Sequence, residues 1–208
     1  MWFHRSTAIN LWLVLIGMLL MAPTISSVQT GVGEAGENGC TCHGGEFTGT
    51  VVSIEGLPSA YEVNTTYNLT IFIDSTIDLD STNYQGGFRL TTNGVGTIVF
   101  ADTNEVQVIQ EGWTHTENGT YQRSWNLSWS SPETPTKAVE FILIGNAVNG
   151  NLQSSGDGWN SFAKAIPHVD DNAQLDQPVV HREIDTLDLA VFVVGLSAMC
   201  FFLVRTMK

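Results

Sequence analysis

An all-β domain, an antiparallel two-sheet β-sandwich, is the fold predicted for the middle of this chain. Apolar residues alternate with polar ones at period two, turn-forming residues separate the alternating runs, and no stretch of the middle sustains a helical period. The two ends differ from the middle. They predict an N-terminal signal segment and one C-terminal transmembrane helix.

The clearest alternation runs from Tyr67 to Ile73, where Tyr67, Leu69, Ile71 and Ile73 fall on one face. From Tyr121 to Trp129, Tyr121, Trp125, Leu127 and Trp129 share a face, while Gln122, Ser124, Asn126 and Ser128 share the other. Val139, Phe141 and Leu143 repeat the pattern within Ala138 to Gly145. Shorter strands are expected at Thr48 to Ile54, Gly87 to Thr92, Thr97 to Ala101 and Glu105 to Ile109. Asn93-Gly94, Asn118-Gly119, Ser131-Pro132, Pro135 and Asn149-Gly150 supply the turns between them. Seven short strands at this spacing fit a sandwich better than a barrel.

Residues 1–27 carry a basic start (His4, Arg5), an apolar run from Leu11 to Met21, and the stretch Ala22-Pro23-Thr24-Ile25-Ser26-Ser27, the three parts of a secretory signal peptide. Residues 28–46 form a Gly-rich segment holding cysteine and histidine, and 47–164 the sandwich. Residues 165–186, with Pro167, Asp170-Asp171 and Pro178, lack apolar periodicity and read as a polar stalk. The stretch 187–204 is expected to span a membrane, with 205–208 as a cytoplasmic tail. Its core from Leu189 to Val204 is uncharged, Asp185 and Asp188 precede it, and Arg205 and Lys208 follow on the side expected to be cytoplasmic. The domain is therefore placed outside the cell membrane, extracellular or periplasmic, on a single-pass anchor.

Between the ends, residues 28–184 hold five basic residues (Arg89, Arg123, Lys137, Lys164, Arg182) against nineteen acidic ones. That balance argues against nucleic acid as a partner, since binding it requires a basic footprint. Sequons at Asn64, Asn68, Asn118 and Asn126 allow glycosylation of an exported glycoprotein. No Gly-x-Ser-x-Gly, phosphate loop or catalytic carboxylate pair supports a hydrolase or kinase. Asp74, Asp78 and Asp80 read as a solvated acidic turn rather than a calcium loop, and Asp157, in Gly156-Asp157-Gly158-Trp159, reads as a turn residue.

Chemistry concentrates at Cys40-Thr41-Cys42-His43, which holds two of the three cysteines. The order of Cys42 and His43 is that of the Cys-x-x-Cys-His haem c attachment motif, one spacer residue shorter: a thioether at Cys42, a possible second at Cys40, and iron ligation by His43. Zinc or copper held by thiolate and imidazole is the alternative, and a Cys40–Cys42 disulfide without cofactor is another. His115, beside Trp113 at a strand or loop edge, is the candidate for the second axial ligand, against the reading of an exposed turn histidine. His168 and His181 are assigned to the stalk, and Cys200 to the membrane helix.

The chain resembles a group of exported sandwich proteins called choice-of-anchor domains, relatives of the reeler fold. The resemblance is carried by Gly36-Glu37 leading to Cys42-His43-Gly44-Gly45, Leu57-Pro58 with Tyr61, Tyr67 to Thr70, and Gly86-Gly87-Phe88. It continues through Thr114-His115-Thr116, Trp125 to Trp129 with Pro132, Gly145-Asn146-Ala147, Asn149-Gly150 and Gly156-Asp157. It implies a secreted Ig/reeler-like sandwich on a variable surface anchor, in a family that carries a full Cys-x-x-Cys-His. Two functions follow as expectations. One is a haem-binding electron-transfer module with His43 and His115 as axial ligands and a redox protein as partner. The other is a non-redox adhesion or ligand-binding module with a surface partner and a structural Cys40–Cys42 pair.

Overall fold

The computed structural model describes residues 29–40, 43, 45–79, 82–171, 177–178 and 186–206. The signal segment, Thr41, Cys42 and His181 lie outside these residues. Two antiparallel sheets face each other. The first is four-stranded, in the order β1 (Thr50–Glu55), β2 (Thr66–Ser75), β7 (Ser124–Ser130), β4 (Thr97–Phe100). The second is five-stranded, in the order β5 (Val106–Ile109), β6 (Gly112–His115), β3 (Gly86–Thr92), β8 (Val139–Ala147), β9 (Gly158–Ile166).

Alternation places the core between them. Leu69, Ile71 and Ile73 on β2 are buried, as are Trp125, Leu127 and Trp129 on β7 and Val139, Phe141 and Leu143 on β8. Register sets Ile71 opposite Trp125 and Leu69 opposite Leu127, so one face of the β2–β7 pair is continuous apolar surface. Trp129 stacks on Tyr67 with ring centroids 5.4 Å apart and meets Tyr61 and Phe141 edge-on. Both indoles on β7 find acceptors, Trp125 Nε1 donating to Gly119 O at 3.2 Å and Trp129 Nε1 to Val95 O at 3.0 Å.

Three expectations require correction. Tyr121 does not share a strand face with Trp125: Asn118–Tyr121 is one 3₁₀ turn, tied down by the Trp125 indole, and Tyr121 is exposed. Strands β6 and β9 were not expected. The proposed stalk does not begin at 165, because Ala165 and Ile166 pair with Glu140 and Val139 as buried residues of β9. Beyond them, Tyr61 N donates to Pro167 O at 2.8 Å and Val169 N to Tyr61 O at 3.0 Å, while His168 packs edge-on against Tyr61. His168 is thus a buried residue of the sandwich.

At the C-terminus, α1 (Thr186–Thr206) is one helix of 21 residues, and from Leu189 to Arg205 its side chains are exposed on every side. Among the described residues, no helix is long and apolar enough to cross a membrane. The uncharged run from Leu189 to Val204 covers about 24 Å at 1.5 Å per residue, short of a hydrocarbon core of about 30 Å. The span expected at 187–204 is therefore not established by the fold.

Trp125 tests the packing directly. It is 1 % exposed and touches Phe88 with ring centroids 4.7 Å apart. Trp125→Ala is expected to lower unfolding free energy by about 3 to 5 kcal/mol, the usual range for emptying a large aromatic site, measured by denaturant titration. A loss under about 1 kcal/mol would place the residue outside the core.

Candidate functional site

At one end of the second sheet, the N-terminal segment folds back over strands β6 and β3 and encloses a cavity. The segment is held by its backbone: Val32 N donates to Thr114 Oγ1 at 3.1 Å and Glu34 N to Gln110 Oε1 at 2.9 Å. Glu37 adds an ion pair, its Oε1 lying 2.7 Å from Nη2 of the buried Arg89 on β3. Beyond Glu37 the chain turns at Gly39, whose φ of +100° suits glycine. A Cβ there would also lie 2.3 Å from the Trp159 ring. A further turn follows, with His43 N donating to Cys40 O at 2.8 Å. The segment expected to be separate is therefore part of the domain.

The cavity, of about 110 Å³, opens to solvent. Cys40, His43 and His115 all line it. Three of the four site residues named from the sequence are thus brought together although His43 and His115 are 115 − 43 = 72 positions apart, and the fourth, Cys42, lies outside the described residues. Val32, Phe88, Val148 and Leu152 give the wall its apolar character. Polar groups are few and placed, among them Asn146, 5 % exposed, whose buried Oδ1 has no hydrogen-bond partner.

Sequence reading missed Asp157. Its Oδ2 lies 2.7 Å from His43 Nδ1, with the carboxylate side chain 2 % exposed and the imidazole 12 %. No local signal announces the pair, because the partners are separated by 114 positions. An ionised carboxylate only accepts, so Nδ1 of His43 carries a proton in this contact, and a neutral His43 ring has its lone pair on Nε2. That is the arrangement of a metal-ligating histidine.

His115 sits deeper, 7 % exposed, at the end of β6 opposite Val106. The expectation of a strand-edge residue in the folded region is met, and the exposed turn histidine is not. Gly87 makes room for it, since a Cβ on Gly87 would come within 2.3 Å of the ring. Phe88 N donates to His115 Nδ1 at 3.0 Å, which puts the ring proton on Nε2. Phe88 O lies 3.3 Å from the same nitrogen and accepts in the other tautomer, which places the lone pair on Nε2. Burial lowers the His115 pKa to about 4; the Phe88 carbonyl opposes the shift and His43 adds to it. Both imidazoles therefore belong to one electrostatic environment, and His115 is neutral at physiological pH.

Among the described residues, no group of three or more His, Cys, Asp and Glu is placed to hold a metal ion. The features that suit a haem are different ones: two imidazoles, a neighbouring cysteine and an apolar wall. The orphaned Asn146 Oδ1 adds an acceptor for a bound group.

No protein-family model and no curated protein matches the chain. Among solved structures it is similar to the Reelin-N domain of F-spondin, with TM-score 0.40 and 22 % identity over 60 % of this chain and 89 % of that one. It is likewise similar to the human F-spondin reeler domain (TM-score 0.40, 22 % identity, 59 % of this chain and 90 % of that one). A third is a conjugative transposon lipoprotein from Bacteroides eggerthii (TM-score 0.35, 13 % identity, 56 % and 97 %).

The His115 shift has a sign that can be measured in protein carrying no bound group. The folded-state pKa, about 4, lies below the ordinary 6.5, so the unfolded chain binds the extra proton between those values and stability rises with pH across that window. Acidification from pH 6.5 to 4 is expected to remove about 3 kcal/mol through this residue. Denaturant titrations at pH 4.5 and 7 should show a smaller difference for His115→Gln than for the parent protein. Equal differences would show that His115 does not titrate with folding.

Proposed function

We propose that this chain is a membrane-anchored, extracytoplasmic haem-binding module of the choice-of-anchor kind, acting in electron transfer. The observation that carries the reading is the convergence of Cys40, His43 and His115 on one apolar-walled cavity, with His43 held by Asp157 in the ligand tautomer. A covalently attached haem would supply a one-electron iron couple. Cys42 would provide the thioether next to His43. Cys40, displaced by the missing spacer, would provide a second or none.

The chain's own residues supply the rest. His43 would hold the iron through Nε2, and His115 would do so through Nε2 in the tautomer whose Nδ1–H donates to the Phe88 carbonyl. Burial keeps His115 neutral, as ligation requires. Val32, Phe88, Val148 and Leu152 exclude water from the wall and lower the local dielectric, which tunes potential. Ligation by two imidazoles would favour electron transfer over catalysis.

Location rests on the ends of the chain. Exposed apolar side chains surround α1 on every side from Leu189 to Val204, a surface that water solvates poorly. Lipid covers it in this reading, with Leu187 extending the run and the Arg205 side chain reaching to the headgroups. The signal-type start and the basic C-terminal flank put the domain outside.

Protein matured in a host with haem-attachment machinery is expected to show a Soret band that survives denaturation. Cys42→Ala should abolish it, and Cys40→Ala should weaken it less. His115→Ala should keep the attachment and move the spectrum from low-spin toward high-spin iron; an unchanged spectrum would remove His115 from the ligand set. Colourless protein with zinc or copper on metal analysis would support the alternative metals. Colourless, metal-free protein with a Cys40–Cys42 disulfide would replace the proposal with a surface ligand-binding module.

The anchor is tested separately. Protease added to intact spheroplasts should release the domain and leave a small membrane-protected fragment containing α1. Protection of the entire domain would overturn the topology.

A further inference from the structure

Resting on the haem reading of this cavity, we propose that Asp157 is a positioning residue that dictates the tautomer of His43 and strengthens it as a donor to ferric iron, setting a low reduction potential. The geometry makes the setting one-directional. Asp157 Oδ2 accepts from His43 Nδ1–H at 2.7 Å, while its other oxygen, Oδ1, accepts from Asn149 N at 3.1 Å. The two carboxylate oxygens therefore have different employers, and neither can be exchanged without cost.

The loop that carries Asp157 is braced without help from His43. Asn149 Nδ2 donates to Ser155 O at 3.0 Å, and Asn151 N donates to Asn149 Oδ1 at 3.0 Å. Gly156, at φ +83°, lets the chain pass close to Asn149, since a Cβ there would lie 2.4 Å from Asn149 Nδ2. Asp157 thus meets the imidazole from a fixed frame, nearly excluded from solvent. A charge-assisted bond from a desolvated carboxylate shifts electron density onto the ring and raises ligand basicity. A more basic ligand favours the ferric over the ferrous state.

Replacement by asparagine and by alanine should act in opposite order to a structural role. In Asp157→Asn the Asn149 N–H still claims the side-chain oxygen, so the amide NH₂ faces His43 Nδ1. That nitrogen must then accept, and the ring proton moves to Nε2, the position from which iron would be bound. In Asp157→Ala the carboxylate no longer holds the Nδ1 proton, and water can accept in its place. Asparagine, which preserves the bond to Asn149, should therefore damage ligation more than alanine, which loses it. A residue that merely braces its loop would give the reverse order.

The test has two arms. In cofactor-free, uniformly ¹⁵N-labelled protein, long-range imidazole spectra at neutral pH should show His43 protonated at Nδ1 in the parent and at Nε2 in Asp157→Asn, with thermal melts confirming that both variants fold. An unswitched ring in Asp157→Asn overturns the proposal whether or not haem is ever bound. In haem-loaded protein, Asp157→Ala should stay low-spin and rise in potential, a tenfold loss of ferric preference corresponding to about 59 mV for a one-electron couple. Asp157→Asn should lose low-spin character. An unchanged potential in Asp157→Ala, with haem attached, overturns the role of Asp157 and leaves the haem reading standing. The switched tautomer in a protein that never takes up haem supports the tautomer control and refutes the cofactor reading instead.

Discussion

The cavity depends on one buried cation. Arg89 projects from β3 with 1 % exposure, and a guanidinium so desolvated requires its charge to be paired and its Nη donors to be satisfied, even though its buried Nε has no partner. Its Nη atoms donate to Ile109 O and Gln110 O and to the Glu37 carboxylate at 2.7 Å. Those partners belong to the β5–β6 hairpin and to the N-terminal segment, so the same group locks both. The hairpin turn places Gln110 and Glu111 at φ of 46° and 60°, a conformation usually left to Asn or Gly. Two carbonyls held by Arg89 and a side-chain oxygen held by Glu34 N offset that strain. Gly112 is what lets the guanidinium through, since a Cβ there would lie 2.4 Å from Arg89 Cζ.

Phe88 joins this fastening to the core. Its side chain packs on Trp125 and Phe100 between the sheets, its backbone N–H and C=O meet His115, and the residue before it is the glycine that admits the imidazole. The site is not a loop decoration on an independent scaffold. Repacking around Trp125 moves the strand that orients His115, so stability and site geometry are coupled through one residue.

What was legible in the chain is what short-range pattern can encode. Strands β2, β7 and β8 follow from period-two alternation because one face of each is buried and the other is wet. β9 escaped notice because Ser161, Ala163 and Lys164 dilute the alternation at the sheet edge and Pro167 suggests a linker. β6 is four residues long and buries Gly112, Thr114 and His115 rather than alternating apolar side chains, so it shows no period-two pattern. Tyr121 illustrates the opposite error: it continues the apolar pattern of β7 by one step, yet the backbone has already turned to satisfy the Trp125 indole. At the site, Cys40 and His43 stand in a recognisable order and His115 stood out by chemical type. Asp157 read only as a turn residue, since its role at the site comes from a partner 114 positions away.

That separation gives the site a temporal character. His43 belongs to the first part of the domain to leave the ribosome, while Asp157 immediately precedes β9, the last strand in chain order. Bringing them within 2.7 Å requires the long-range closure that dominates the folding time of sandwiches. A nascent, truncated or nicked chain that lacks its final strand holds the Cys-His turn but not the carboxylate that orients it. The finished cavity is thus a report on the completeness of the whole polypeptide, and a group captured there before β9 docks would be met by an imidazole with no imposed orientation.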